Sequence, residues 1–156
     1  MNTPFSRFLP STRRPFQSGF SLLEMVFSLG VVGILSSIAY PAFSNTLAAA
    51  RRSDALVALM TVQTAQERFR ANHDSYGELS QLGLASTSAA GHYDIVVESA
   101  SPSGYSVRAA AVGAQRRDTA CQQLRLTMDG LNLTYASGET ESTGNASSVN
   151  RRCWGQ

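Results

Sequence analysis

Gly19-Phe20-Ser21-Leu22-Leu23-Glu24-Met25 opens the stretch that decides the fold, and from Phe20 to Phe43 it reads FSLLEMVFSLGVVGILSSIAYPAF, with Glu24 its only charged residue. Wound as a helix, this segment spans roughly 36 Å, enough to cross a hydrocarbon core about 30 Å thick. The residues before it are polar and basic, with Arg7, Arg13 and Arg14 and no acidic side chain, and Pro4, Pro10 and Pro15 oppose helix there. Basic flanks stay on the cytoplasmic side, so the segment is expected to place its N-terminus in the cytoplasm and everything after Phe43 outside. A secretory signal peptide also pairs a basic start with an apolar core, but this apolar run is too long for one and continues past Pro41 into helical sequence. A plain signal anchor accounts for the hydrophobicity and leaves Glu24 unexplained. A carboxylate in a membrane helix costs on the order of 2.5–3.5 kcal/mol at the centre, which is reduced in the first turn of the helix and offset by a partner.

Composition sets the remaining bounds. At 156 residues with 15% charged, the chain holds one modest domain beyond the apolar segment. A net charge of +2 does not demand a nucleic-acid partner, yet arginine pairs recur at Arg51-Arg52, Arg116-Arg117 and Arg151-Arg152. Two cysteines, Cys121 and Cys153, allow a single internal pairing. In an exported domain a disulfide is the default, stabilising by roughly 3–4 kcal/mol; in a cytosolic one they would stay reduced.

Beyond Pro41 the helix is expected to reach about Asn72, since Ala55, Leu59, Val62, Ala65 or Gln66, and Phe69 recur at three- and four-residue spacing and form one apolar stripe. Asn72 to Gly77 reads as helix end and turn, and Gly77 to Gly91 as a connection in which Leu79, Leu82 and Leu84 pack beneath the loop. Strand alternation follows in Tyr93/Ile95/Val97, Tyr105/Val107/Ala109/Ala111, Leu124/Leu126/Met128 and Leu131/Leu133/Tyr135, with Asp129-Gly130 as a hairpin turn. These segments predict a small antiparallel sheet over about 93–135 whose apolar face the helix stripe covers, an α+β domain. The tail from Ala136 to Asn150 is too polar to form core.

The stretch from Gly19 to Met25 resembles the prepilin peptidase site of type IV pilins and their pseudopilin relatives: a Gly, an aromatic that becomes the first mature residue, and Glu at the fifth mature position. The resemblance implies removal of a leader, 1–19, by cleavage after Gly19, N-methylation of Phe20, and a transmembrane and filament-core helix over 20–43 ahead of a soluble pilin domain over 44–156. It implies assembly roles for Glu24, Gly33 and Pro41, the last two matching a family helix that melts locally in filaments. Glu24 would then answer the ammonium group on Phe20 of a neighbouring subunit and set axial register. The family often carries Lys or Arg just before the cleaved Gly, where this chain has Ser18, and the leader is long. A disulfide from Cys121 to Cys153 would close the C-terminal loop that pilins carry on the filament surface. Short matches at Asn72 to Tyr76, Asp118 to Cys121, Asp129-Gly130 and Cys153-Trp154 look similar to PilE-type minor pilins.

The implied function is structural: a minor pilin, first in the bacterial inner membrane with its C-terminal domain periplasmic and then in a surface pilus, serving twitching motility, adhesion or DNA uptake. Its partners would be other pilins, prepilin peptidase and the inner membrane, with no cofactor and no small-molecule substrate. A type II secretion pseudopilin shares the same N-terminus, although pseudopilins more often lack the disulfide-closed tail. A tip subunit binding DNA through Arg51, Arg52, Arg116, Arg117, Arg151 and Arg152 is a third reading, and such binding would be strongly salt-dependent. No residues support an enzyme. His73 and His92 have no metal-ligand spacing, phosphate-binding glycine loops are absent, and Asn132-Leu133-Thr134 and Asn145-Ala146-Ser147 read as turn and strand residues that match a glycosylation pattern by chance.

Overall fold

The computed structural model describes residues 19–144 and 146–155, so 1–18, which make up all but the last residue of the expected leader, and Asn145 and Gln156 lie outside the described residues. Helix α1 runs from Leu22 to Arg70 with Pro41 inside it. The chain falls into two units divided between Ala39 and Tyr40. In the first, the apolar side chains from Phe20 to Ile38 are exposed, and none of the most apolar window of α1 is covered by protein. A surface so apolar requires lipid or other protein around it.

The second unit is an α+β domain. Strands β1 (Tyr93–Ala100), β2 (Gly104–Ala111), β3 (Gln123–Asp129) and β4 (Asn132–Gly138) form a four-stranded antiparallel meander in sequence order. Alternation places Tyr93, Ile95, Val97, Tyr105, Val107, Ala109, Leu124 and Leu126 on one buried face, where they meet Ala55, Leu59 and Val62 of α1 in a single core. The helix stripe is the expected one, with Gln66 as its fourth buried position. α1 ends at Arg70, and Ala71 and Asn72 continue as a turn. Leu131 is not a strand residue. Asp129 pairs with Asn132, so Gly130 and Leu131 form a two-residue loop with Gly130 at φ 60, and Leu131 is fully exposed at its tip.

Polar clamps fasten the helix to what covers it, pairing buried donors and acceptors that would otherwise be costly, although Gln115 Oε1 is left without a partner. The Gln66 side chain donates to the Gly77 carbonyl at 2.7 Å and accepts from the Gly77 N–H at 2.9 Å, fixing the first turn after the helix. Asp54 accepts from Ser88 Oγ at 2.6 Å and from the Ala90 and His92 amides at 3.0 and 3.3 Å, holding the end of the connecting loop. Burial pushes the Asp54 carboxyl up, but these donors outweigh it and hold its pKa below the usual aspartate value. Gln115 donates to the Ala48 carbonyl and to the Tyr93 hydroxyl, joining the turn after β2 to α1.

The tail departs from expectation. β4 extends to Gly138, and residues Ser147–Trp154 form a second helix, α2, with Cys153 and Trp154 buried at its end. Cys121 and Cys153 are disulfide-bonded. Trp154 packs against Tyr135 with ring centroids 4.8 Å apart and donates to the Ala136 carbonyl at 3.3 Å. Asn150 donates to the Tyr135 carbonyl and accepts from Ser137, so α2 is sewn to β4 by polar bonds as well as by the disulfide.

Candidate functional site

No group of His, Cys, Asp and Glu among the described residues is arranged to hold a metal ion. His73 stacks on Phe69 at 3.8 Å, and His92 enters the Asp54 clamp through its backbone amide. Burial pushes the Tyr93 phenol up to about 12, so it stays neutral at physiological pH and serves in packing. The remaining concentration of chemistry is the arginines.

Their grouping follows from what packs around the Ala48–Arg52 turn of α1. The 3-10 turn Gly113–Arg117 is brought there by the Gln115 bond to Ala48, and the next turn, Thr119–Cys121, follows through Asp118. Arg52 is engaged inside the domain: Nε and Nη2 bond the two Asp118 carboxylate oxygens at 2.5 and 2.8 Å, and Nη1 bonds the Arg152 carbonyl at 2.8 Å. These bonds fix α1 to the turn before Cys121 and to α2, and they leave little of this guanidinium to offer a ligand. Arg51 and Arg117 line one cleft. Arg116 is exposed, with Nε on the Ala111 carbonyl at 3.3 Å, and Arg151 and Arg152 are exposed on α2. Among the described residues none of Arg51, Arg116, Arg117, Arg151 and Arg152 forms an ion pair. Three pairs far apart in sequence thus gather about one end of the domain, five guanidiniums without a carboxylate and one consumed in holding them there.

A second charged group lies on the outer sheet face. Alternation along β1 places Glu98 on that face, beside a register shift between Val97 and Ser99 that exposes Ser99 as well, and Arg108 meets Glu98 at 2.6 Å and Arg125 at 2.8 Å. Arg108 and Arg125 also reach Glu141, through its carboxylate at 3.3 Å and its backbone carbonyl at 2.9 Å, so the loop after β4 is held over the sheet. Burial raises the Glu98 pKa, and the arginine hydrogen bonds outweigh it to leave the group below its usual value. This network is internally paired and offers no free charge comparable with the arginine end.

Of the residues expected to be processed or to direct assembly, Gly19 and Phe20 precede α1, Glu24 occupies its first turn, and Gly33 and Pro41 lie within it. Glu24 has no cationic partner among the described residues of its own chain.

Comparison with known proteins agrees with both halves of the chain. Residues 14–40 match the prokaryotic N-terminal methylation motif. Type IV major pilin protein PilA of Myxococcus xanthus is 32% identical over 116 residues, 74% of this chain and 46% of that protein. Type IV major pilin protein PilE1 of Neisseria gonorrhoeae is 33% identical over 70 residues, 45% of this chain and 33% of that protein. Prepilin peptidase-dependent protein D of Escherichia coli is 37% identical over 57 residues, 36% of this chain and 39% of that protein. The chain thus spans less than half the length of each of these relatives. Residues 41–125, more than half of the chain, match the family model described as type IV minor pilin ComP, DNA uptake sequence receptor, and the chain belongs to that family.

Proposed function

We propose that this chain is a minor pilin that enters a type IV pilus through its N-terminal helix and captures DNA with the arginine end of its soluble domain. The observation that carries the DNA reading is the gathering of Arg51, Arg116, Arg117, Arg151 and Arg152 without carboxylate partners in a chain whose family model is named for a DNA uptake receptor. Cations fixed in this way attract phosphate and release counterions on binding. Arg116, Arg117, Arg151 and Arg152 are the exposed arginines of this end, and Arg52 acts as the brace that holds α2 and the 3-10 turn together.

The rest of the reading rests on the N-terminal motif and the exposed apolar helix. Prepilin peptidase cleaves after Gly19, Phe20 is N-methylated, and the segment over 20–43 holds the subunit in the inner membrane, soluble domain outside, until it joins the filament. Twitching motility and adhesion are further uses of such a filament.

Titration of the full chain, in detergent, with labelled duplex DNA at several salt concentrations tests the DNA reading. Binding should weaken steeply with salt, and Arg116→Gln/Arg151→Gln/Arg152→Gln should lower the affinity about tenfold or more and flatten the salt slope. Affinity and slope unchanged in the triple variant would end the assignment. Mass spectrometry of the N-terminus tests the processing: N-methylated Phe20 supports it, and Met1 or a start beyond Pro41 refutes it.

A further inference from the structure

We propose that the cleft shared by Arg51 and Arg117 binds the headgroup phosphate of an anionic phospholipid, so that the subunit holds a specific lipid while it waits in the membrane. This inference rests on the membrane-anchored reading above and concerns Arg51 and Arg117, the two arginines of that end that share the cleft and that the DNA-binding variant leaves in place.

The cleft has a volume of about 230 Å³ and an ordered polarity. One wall is a single face of α1, carrying Tyr40, Phe43, Leu47 and Arg51 at helical spacing; the other is the 3-10 turn, through Ala114 and Arg117. Its N-terminal end is therefore mainly aromatic and aliphatic, with Ser44 and Asn45 as its polar members, and its far end is cationic. Neither Arg51 nor Arg117 forms an ion pair among the described residues, and the carboxylates nearest them in sequence are engaged elsewhere, Asp54 by Ser88 and the Ala90 and His92 amides and Asp118 by Arg52.

Position selects the occupant. Tyr40 and Phe43 end the apolar segment, which is where aromatic side chains sit at a membrane–water boundary. Arg51 lies eight residues beyond Phe43, about 12 Å along the helix, and helical side chains lean toward the N-terminus, so its guanidinium is carried back toward a headgroup layer roughly 5–8 Å deep. A lipid whose phosphate meets Arg51 and Arg117 lays its glycerol and upper acyl carbons along Leu47, Phe43 and Tyr40. A duplex phosphate or a free phosphate ion has no use for that apolar end, and all three of these side chains are exposed to solvent in the absence of a covering group.

The test uses the full chain reconstituted into phosphatidylcholine vesicles holding a few per cent of spin-labelled phosphatidylglycerol, with labelled phosphatidylcholine as the reference and flotation to score insertion. Labelled phosphatidylglycerol should be immobilised at least several-fold more than the reference. Arg51→Gln/Arg117→Gln should remove the preference, roughly a tenfold loss or more, while Arg151→Gln/Arg152→Gln keeps it. Excess inorganic phosphate or duplex DNA should leave the immobilised fraction unchanged. Equal immobilisation of the two lipids, a preference that survives the double variant, or displacement by phosphate alone or by DNA would each overturn the proposal. Insertion without lipid preference refutes only the cleft, whereas failure to float with the vesicles refutes the membrane anchor beneath it.

Discussion

Arg52 and Asp118 form a two-pronged ion pair, Nε to Oδ2 at 2.5 Å and Nη2 to Oδ1 at 2.8 Å, that joins α1 to the turn leading into Cys121. Both side chains are largely withdrawn from water, with exposures of 15% and 7%. A buried pair of this kind adds little over an apolar replacement, while breaking one half strands the other charge. Arg52→Gln should therefore lower stability by roughly 3 kcal/mol, and Arg52→Met/Asp118→Leu should recover most of that loss. Chemical denaturation of the full chain in detergent, disulfide intact, checks both; a double variant no better than the single one would contradict the desolvation argument.

Reduction of Cys121–Cys153 should cost roughly 3–4 kcal/mol in the chain-entropy model and release α2 from β4. Trp154 reports the event directly, because it is the one tryptophan in the chain and is 8% exposed against Tyr135. Its emission should shift to the red on adding reductant, and likewise in Cys153→Ser, before the sheet unfolds. An unchanged spectrum in the reduced protein would mean that the polar bonds of Asn150 hold α2 by themselves.

The Glu98 network makes stability depend on acid. Because the folded pKa lies below the ordinary value of 4.5, its contribution is complete above that value and is lost as pH falls through the folded one. Asp54 acts in the same sense, below its ordinary 3.8. The thermal midpoint should be flat from neutrality to about pH 5 and drop toward pH 3. Glu98→Gln should lower the neutral midpoint and shrink the drop without abolishing it, since Asp54 still titrates. An equally steep decline in Glu98→Gln would assign the acid sensitivity elsewhere.

How far the sequence carried the reading differs by element, for physical reasons. The helix stripe at Ala55, Leu59 and Val62 and the alternation at Tyr93, Ile95 and Val97 were legible because burial on one face imposes a period on the chain. The outward place of Glu98 follows from the same alternation, but the register shift that leaves Ser99 exposed beside it was not legible, since one extra residue leaves no compositional trace. α2 escaped because Ser147 to Arg152 offers no apolar stripe; its anchors, Cys153 and Trp154, fall in the last turn, and its other ties are bonds to β4. The arginine pairs were visible but their meeting was not, because contacts such as Arg52 with Asp118 and with the Arg152 carbonyl join residues 66 and 100 positions apart. Leu131 misled because it stands in phase with Leu133 and Tyr135 yet is the second residue of the loop that Gly130 opens.

Gly104 is required by close approach. A Cβ built there would lie 2.1 Å from the Met128 carbonyl oxygen, a backbone atom held by pairing between β2 and β3. Gly104→Ala must therefore pull the two strands apart at that end, at a cost on the order of 2–4 kcal/mol. Ala substituted at Gly30, where nothing lies within 4 Å, should leave the soluble domain unaffected. Amide exchange of β2 and β3 distinguishes a local opening from global loss, and wild-type protection in Gly104→Ala would show that the strands shift without cost.

Glu24 is the residue on which filament assembly should turn. It stands in the first turn of α1 among exposed apolar side chains, with no cation to meet it among the described residues of its own chain. In a low-dielectric filament core a carboxylate is tolerated only opposite a positive charge, and cleavage after Gly19 would create one on Phe20 of a neighbour. Glu24→Val removes the carboxylate and makes the segment more apolar, so cleavage and membrane insertion should persist while the subunit disappears from sheared pili. Glu24→Gln should behave alike, because it keeps the shape and loses the charge. Incorporation of either variant at the wild-type level would show that packing of the apolar helix, and not the ion pair, sets the register of the subunit.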